Sequence, residues 1–461
     1  MHVIHQRLPK TVLLPVIASA LLLSGCSGGT TTGAADSGQS IADVAEEDLQ
    51  GTTIEFSHFF GECSDEVGDS TDITAVVGEC PTITTLTNKF NAENEHGITV
   101  NRLGGAAWDN YYDQLNTAIA GSTPPDVAAM HGASLVDYAQ RSLLVPLDEA
   151  VAATDTDLED ALPVEQDAIR YEDKVYAVPF DVHAALAHVN VDLFRQAGLV
   201  DDTGAPVLPT STEEFITAAK TMKDKTGKNL IAIPRVGDNL GWHLVHSLIM
   251  QQGSSVLSED LTEANLDTPE ARKAVDFVSS LFTSGYADGD QTYDAAGQSF
   301  LNGEAAMLYN GTWVVDSYNA EASFEYQATN FPTLFKEPAV WSNQHLWAIP
   351  AQKDADPVKY RAALEFVNFL YENDATWALG TGHISSRTSI VESPEYEAAP
   401  QRQNYAETGL TNAGLLPHIS NWPAVEKICV QAVESIWFQD APVEDALREA
   451  DANINSALAG G

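Results

Sequence analysis

The chain has 461 residues, of which 66 are acidic and 23 are basic, so its formal net charge at pH 7 is −43. A surface this negative repels nucleic acid, which excludes nucleic acid as a direct partner. It also repels anionic lipid headgroups, so the protein does not dock on them without an acyl anchor. Solubility in water explains most of this charge. A cationic ligand is not excluded.

The N-terminal segment predicts export. A short cationic start precedes an apolar run over residues 11–23, which is too short to span a bilayer as a mature helix, since that takes about 20 apolar residues. Leu-Ser-Gly-Cys at 23–26 resembles the bacterial lipobox, whose cysteine becomes the first mature residue and carries the lipid. We expect residues 1–25 to be a lipoprotein signal peptide and Cys26 to anchor the protein at the extracytoplasmic face of the cell membrane; the alternative is an ordinary signal peptide.

A linker is predicted next. Residues 27–40 are rich in Ser, Thr, Gly and Ala and poor in apolar side chains, so they bury too little surface to fold. The sequence therefore predicts a flexible tether over residues 26–50.

The remaining cysteines predict one disulfide. Export to an oxidising compartment permits a bridge, and the sequence-near pair Cys63 and Cys80 is favoured over pairings with Cys429. Cys429 lies in an apolar helical pattern and is expected to be a buried thiol.

The rest of the chain predicts an α/β fold. Residues 51–461 exceed what one hydrophobic core usually accommodates, so two lobes are expected. Periodicity predicts alternating elements, with strands at 53–56, 98–100 and 126–130 and helices at 84–90 and 108–119. Such alternation is typical of parallel βαβ units, whose ligands bind beyond the carboxyl ends of the strands.

Helix starts are marked by capping patterns. Ser211 to Glu214 form a capping box, and Thr268 and Asp356 each precede a proline. The apolar stripe over 362–370 is interpreted as core packing.

From about residue 104 onward, six segments share their order and spacing with the corresponding segments of one protein family. They are 125–127; 178–180 with 189–194 and 197–199; 209–215; 300–307 with 311–313; 345–350; and 362–370. In these segments the chain resembles the sugar-binding proteins of bacterial ABC transporters, a family that includes the maltose-binding protein.

The resemblance implies two α/β lobes joined by crossing segments, with a ligand cleft between them. Carried over, one lobe holds residues 51–181 and 347–390 and the other 182–346 and 391–461, with the hinge near Asp181 and Leu346. It also implies a monomer that delivers a carbohydrate to ABC permease subunits. The segment 61–81 departs from the family pattern, which has a shorter loop there; it either shapes the cleft mouth or is a stapled surface loop.

A sugar presents hydroxyls in its ring plane and C–H groups on its faces, so its site combines aromatic platforms with polar side chains around them. Trp313 matches a family position where an aromatic ring stacks on the sugar, and residues 341–345 combine an indole with four hydrogen-bonding residues. The candidates are Trp108, Asp109, His131, Asp181, His183, Trp242 (beside His243), Trp313, Trp341, Asn343, His345 and His383. For Trp108 and Trp313, the alternative to ligand contact is packing in the core. For residues 341–345, the alternative is a polar loop without a ligand.

Catalysis and bound metal are not expected. No pair of acids stands out as a glycosidase pair, and neither Gly-x-Ser-x-Gly nor His-Glu-x-x-His occurs. The calcium-loop-like run from Asp155 has Asp160 where glycine is required and Gln166 where a glutamate belongs. The sequence therefore predicts no enzyme, no cofactor and no metal site.

A third alternative keeps the architecture but changes the ligand to a polyamine, an iron complex or a peptide. A polyamine site would need several acids facing aromatic rings. A ferric site would need paired tyrosines, which Tyr111 and Tyr112 mimic, although helix packing explains this pair better. The histidines, asparagines and tryptophans at the candidate turns favour a neutral polyol.

Overall fold

The fold is described from a computed structural model, which covers residues 40–74, 76–104, 108–154 and 156–460, without the side chains of Asp109 and Leu410. The predicted signal peptide, the predicted lipidation site Cys26 and most of the predicted tether lie outside these residues. Within them, every helix falls short of the length and apolar character that a membrane crossing needs.

The described part alternates strands and helices. The strands are β1 (Thr53–Ser57), β2 (Thr99–Arg102), β3 (Val127–His131), β4 (Arg170–Tyr171), β5 (Lys174–Val175), β6 (Ala177–Asn190), β7 (Asn229–Ala232), β8 (Ala305–Gly311), β9 (Tyr326–Asn330), β10 (Val340–Ala348), β11 (Ile384–Ser385) and β12 (Ala413–Leu415). The helices are α1 (Ser64–Val67), α2 (Glu79–Glu93), α3 (Trp108–Ala120), α4 (Gly132–Gln140), α5 (Asp148–Ala153), α6 (Pro163–Ala168), α7 (Val191–Ala197), α8 (Thr212–Thr226), α9 (Leu240–Met250), α10 (Pro269–Thr283), α11 (Tyr293–Leu301), α12 (Val315–Glu321), α13 (Pro357–Glu372), α14 (Asp374–Thr381), α15 (Thr388–Val391), α16 (Pro394–Ala398), α17 (Trp422–Gln439) and α18 (Val443–Ala459).

Two long strands connect the halves of the molecule. Hydrogen-bonded neighbours follow the order β2-β1-β3-β10-β6-β8-β7. β1 pairs in parallel with β2 and β3, as the alternating pattern predicts, and β7 also pairs in parallel with β8. β6 pairs antiparallel with β10 through its first half, where Asp181 lies opposite His345, and with β8 through its second half. The chain thus crosses between the halves along β6 and β10, while the hinge near Asp181 and Leu346 stays a prediction.

The predicted caps are confirmed. The side chain of Ser211 accepts from Glu214 N, that of Thr268 from Ala271 N, and that of Asp356 from Val358 N. Each bond satisfies a backbone donor that the first helical turn leaves without a partner.

Buried apolar side chains form three clusters. The N-terminal cluster draws on residues between 44 and 180 and between 346 and 377. Apart from Ala133, the C-terminal cluster draws on residues between 184 and 341 and between 422 and 454. A bridging cluster joins β6, β8 and β11 through side chains such as Val182, Leu308 and Ile384. The exact limits of the two lobes stay predictions.

The predicted tether ends earlier than residue 50. Two short 3₁₀ turns, Ile41–Asp43 and Glu46–Leu49, precede β1. Val44 is 4% and Leu49 0% exposed, and both pack in the N-terminal cluster. Residues 40–50 therefore belong to the globular part of the chain.

Several buried histidines make the fold sensitive to acid. Burial lowers the pKa of His58 and His188 to about 4 and of His183 and His246 to about 3. An unfolded histidine titrates near pH 6.5, so below this pH the unfolded chain binds protons that the folded chain does not, and stability falls as the pH falls. Each such histidine lowers the free energy of unfolding by about 2 kcal/mol when the pH falls from 7 to 5.

We expect His246→Phe to weaken this pH dependence. His246 stacks on Trp242 and Trp422, with ring centroids 5.4 and 6.0 Å apart, and its Nδ1 has no partner among the described residues. Phenylalanine keeps the stacking and cannot be protonated. Between pH 7 and pH 5, the free energy of unfolding of the variant should therefore fall by about 2 kcal/mol less than that of the original chain. Urea denaturation at both pH values measures this. The variant His96→Asn, on a partly exposed histidine, is the control; an identical pH 7 to pH 5 difference in His246→Phe and the original chain would contradict the prediction.

Candidate functional site

A cleft of about 530 Å³ opens beside the crossing of β6 and β10. Its walls come from both the N-terminal and the C-terminal cluster, and aromatic rings make up much of its described lining. These rings are Phe59, Trp108, Tyr112, Tyr138, Tyr293, Trp313, Trp341 and Trp422. Such a lining offers flat apolar faces, with few but fixed hydrogen-bonding groups between them.

Trp313 is held against the end of β8 by its neighbours. Its Nε1 donates to Tyr293 Oη at 2.8 Å. A Cβ on Gly311 would lie 2.0 Å from the Trp313 ring, so only glycine lets the indole lie so close to the backbone. Burial raises the pKa of Tyr293 to about 12, and the hydroxyl therefore stays protonated. Trp313 is partly exposed in the cleft with its orientation fixed.

A second stack lies on the C-terminal side. The rings of Trp341 and His243 are nearly parallel, with centroids 3.8 Å apart. Trp341 is 6% exposed, and its Nε1 has no partner among the described residues. His243 Nε2 lies 3.1 Å from Glu426 Oε1, which fixes the imidazole from the other side.

The N-terminal side contributes His131, at the end of β3. Its ring stacks on Phe59 at 4.6 Å, and its Nδ1 lies 2.9 Å from Tyr112 Oη. The same hydroxyl accepts from the backbone N–H of His131 at 2.8 Å. Burial, together with His345 and His183, lowers the pKa of His131 well below its usual value. The imidazole is therefore neutral at pH 7 and presents one donor and one acceptor.

Beneath the cleft floor, the buried carboxylate of Asp181 collects several N–H donors. His345 Nδ1 lies 2.9 Å from its Oδ2 and His183 Nδ1 lies 3.3 Å from its Oδ1, while Trp377 Nε1 donates to Oδ2 at 2.6 Å. Burial acts to raise the pKa of Asp181, but the charges of His345 and His383 and these hydrogen bonds hold it well below the usual range. Asp181 is therefore ionised and orients the two imidazoles that line the cleft.

His383 connects this carboxylate to α2. Its Nδ1 lies 3.6 Å from Asp181 Oδ1, and its Nε2 lies 3.0 Å from Glu79 Oε1. Burial acts to lower the pKa of His383, but Asp181 and Glu79 outweigh it and raise the pKa. His383 thus lies between two carboxylates, of which Glu79 lines the cleft.

This cluster also has ligand types that suit transition metals. The donor atoms of Asp181, His183, His345 and His383 lie within 4.8 Å of one another. Because N–H groups already surround both oxygens of Asp181, hydrogen bonding accounts for the arrangement.

The structure places most of the sequence candidates at the cleft. Those that line it are Trp108, His131, His183, Trp313, Trp341, Asn343 and His345. Asp181 and His383 are 0% exposed and lie beneath it, so they position other side chains instead of facing the cleft. Trp242 is 1% exposed in the C-terminal cluster, while its neighbour His243 lines the cleft. Asp109 belongs to the start of α3, and its side chain lies outside the described ones.

Sequence reasoning missed several lining residues. Tyr112 was attributed to helix packing with Tyr111, but only Tyr111 is buried, since adjacent helical positions face different directions. The remaining missed residues are Phe59, Glu79, Asn116, Ala133, Ser134, Asp137, Tyr138, Asp238, Asn239, Leu240, Tyr293, Leu416, Trp422, Pro423 and Glu426. Tyr293, at the start of α11, and Trp422, at the start of α17, had a usable signal, an aromatic residue directly after a loop.

The family assignment follows from residues 85–404, which match the family described as bacterial extracellular solute-binding protein. The chain belongs to this family. The expected role as an extracellular solute-binding protein is thereby confirmed.

Relatives of this extracellular solute-binding protein include the diacetylchitobiose binding protein DasA of Streptomyces coelicolor. It is 24% identical over 331 residues, which cover 69% of this chain and 73% of DasA. A maltotriose-binding protein of Pyrococcus abyssi is 21% identical over 68% of this chain and 65% of its own length.

Solved structures confirm the fold of this solute-binding protein. The GacH receptor of Streptomyces glaucescens, determined unliganded and with acarbose, matches with a TM-score of 0.75 at 20% identity, over 88% of this chain and 98% of GacH. The Listeria monocytogenes protein Lmo0181, in complex with cycloalternan, matches with a TM-score of 0.73 at 22% identity, over 88% and 99% of the two chains. The predicted two-lobed α/β architecture is thereby confirmed.

Proposed function

We propose that this chain is the lipid-anchored substrate-binding protein of an ABC importer and that it binds a mono- or oligosaccharide in the cleft beside β6 and β10. The observation that carries the proposal is the lining of that cleft, where aromatic faces surround fixed imidazole, amide and hydroxyl groups. This combination matches the two kinds of surface that a sugar presents. The relatives named for binding diacetylchitobiose and maltotriose support a carbohydrate as ligand.

Capture requires contacts from both lobes. Trp313 and Trp341 would pack on sugar faces from one side, while His131 and Tyr112 would meet its hydroxyls from the other. A ligand that contacts both sides at once favours the closed form, and closure is then a shift between two states about the crossing strands. No bond of the ligand is made or broken in this role, and the closed form docks on the permease.

The membrane anchor is the lipid on Cys26, with a linker before residue 40 that lets the lobes reach the permease. A Cys26→Ser variant expressed in a bacterial host tests this part. We expect it to move from the membrane fraction to the soluble extracytoplasmic fraction; persistent membrane association would contradict the anchor.

The ligand class is tested by thermal-shift screening against mono- and oligosaccharides, polyamines and peptides. A ligand that binds only the native state raises the melting temperature. We expect a carbohydrate to give the largest shift. A shift with polyamines or peptides alone would favour the same fold with another solute, and release of cleavage products from a glycan would favour a hydrolase.

Trp313→Ala is expected to weaken sugar binding by about 1–3 kcal/mol, since the variant loses one large apolar face from the cleft. Isothermal titration calorimetry with the best sugar of the screen measures the change. The matched control is Trp437→Ala, because Trp437 is also partly exposed and also donates its indole N–H, to Ser279 Oγ at 3.0 Å, but does not line the cleft. Equal affinity in both folded variants would refute stacking on Trp313.

A further inference from the structure

Acidic side chains line the cleft. Among the described residues that line it are Glu79, Asp137, Asp238 and Glu426, but no lysine or arginine. Three of these acids have a partner nearby: Asp137 lies 2.9 Å from Arg141, Glu426 3.1 Å from His243 and Glu79 3.0 Å from His383. Asp238 takes part in none of the ion pairs that the described residues form.

Asp238 lies two residues before α9 and forms no ion pair with the described residues. Its Oδ1 accepts from Leu240 N at 2.7 Å. Burial raises the pKa of Asp238, and this effect outweighs the hydrogen bond from Leu240 N and the charge of His243, which act to lower it. Glu79, Asp238 and Tyr293 all line the cleft, and the two acids act to raise the pKa of Tyr293 further. Both acids therefore belong to the same cleft as Tyr293, although they are far apart in the sequence.

Two histidines of the cleft, His131 and His183, do not neutralise this charge. The pKa of His131 lies well below its usual value and that of His183 is about 3, mainly because of burial, so both are neutral at pH 7. The other histidines pair elsewhere: His243 with Glu426, His345 with Asp181, and His383 with Asp181 and Glu79. A low-dielectric cleft concentrates such a field on its ligand.

Aromatic faces and a free donor lie beside the acids. Trp313 bonds to Tyr293, and its indole face is of the kind that attracts ammonium groups. The Nε1 of Trp341 is buried at the cleft without a partner among the described residues, which indicates a ligand that also carries hydrogen-bond acceptors. A polyamine lacks acceptors of this kind, whereas a sugar supplies hydroxyl oxygens.

We infer that the ligand of this cleft is an amino sugar, whose protonated amine lies between Glu79 and Asp238 beside Tyr293. This inference rests on the proposed carbohydrate-binding function and specifies its substrate class. A neutral sugar would leave Asp238 without a cationic partner when the lobes close, and burying an unpaired carboxylate opposes that closure.

Matched sugars test the charge directly. Glucosamine and its β-1,4-linked dimer and trimer are titrated calorimetrically against the same sugars in N-acetylated form, at about pH 6, where the sugar amine is protonated. We expect the free amine form to bind at least about tenfold more tightly at low ionic strength. The preference should shrink in about 1 M salt, which shortens the range of charge interactions to about 3 Å.

Asp238→Asn identifies the residue responsible. The ratio of the two affinities, measured within one protein, does not depend on the fraction of the variant that folds. We expect Asp238→Asn to lose most of the preference for the amine, while the control Asp202→Asn, on an exposed acid, keeps it. An unchanged ratio in Asp238→Asn overturns the assignment of this residue and with it the inference.

The outcomes for the original chain separate the inference from the proposed function. Equal or tighter binding of the N-acetylated sugars, or binding of other neutral sugars alone, overturns the inference and keeps the carbohydrate function. Failure of every sugar in the thermal-shift screen and in these titrations overturns the carbohydrate function itself.

Discussion

Asp181→Asn is expected to lower the free energy of unfolding by about 3–5 kcal/mol, the range found when one partner of a buried charge network is removed. Asp181 is 0% exposed and accepts from Trp377 Nε1 while facing the Nδ1 atoms of His183 and His345. Asparagine keeps the shape but removes the negative charge and turns one acceptor into a donor. His383 then retains only Glu79 as a charged partner.

Urea denaturation at pH 7, followed by far-UV circular dichroism, measures this loss. Asp202→Asn is the matched control, because the same chemical change on an exposed side chain should stay within about 0.5 kcal/mol of the original chain. Equal midpoints for Asp181→Asn and the original chain would contradict this prediction. They would show that the free-energy cost of burying the Asp181 carboxylate equals the stabilisation from its hydrogen bonds and ion pairs. The variant is also expected to bind sugar more weakly, since His183 and His345 lose the group that orients them.

The position of Asp181 explains why one carboxylate affects both stability and binding. It lies on β6 opposite His345 of β10, at the place where both crossing strands are closest to the cleft. Through His383 it also reaches Glu79 on α2. The same network that stabilises the crossing therefore fixes the cleft floor.

Much of the fold could be predicted from the sequence because its signals are local. The caps at Ser211, Thr268 and Asp356 depend on residues within three positions of one another. The alternation of strands and helices before residue 131 likewise depends on periodicity inside each element. The early end of the tether was missed because Val44 and Leu49 are too widely spaced to form a periodic pattern.

The site was harder to predict because lining a cleft depends on side-chain direction and on cover from remote segments. Trp242 and His243 are neighbours on α9, yet one packs in the core and the other lines the cleft, since successive helical positions point about 100° apart. Asp181 and His183 project from the same face of β6, but Trp377 and His383 cover only Asp181. Such cover comes from α14 and the residues after it, which no local pattern connects to β6.

Removal of the disulfide is the second change with a large expected effect. Cys63 and Cys80 are joined, as predicted, and Cys429 is a buried free thiol. Closing a loop of this length stabilises the fold by about 3 kcal/mol in the chain-entropy model, so the double variant Cys63→Ser, Cys80→Ser should unfold at a correspondingly lower urea concentration. Treatment of the original chain with dithiothreitol is the control and should reproduce the loss; equal midpoints of the oxidised and reduced chain would contradict it.

The same variant shows whether the loop over 61–81 matters for binding. Cys80 lies in the first turn of α2 beside Glu79, which lines the cleft and bonds to His383. Because the disulfide limits how far this turn can move away from the cleft, we expect the loop to shape the site through Glu79. We expect the double variant to bind its sugar more weakly, measured by calorimetry at a temperature where it is fully folded. Unchanged affinity together with lowered stability would assign the disulfide to the fold alone.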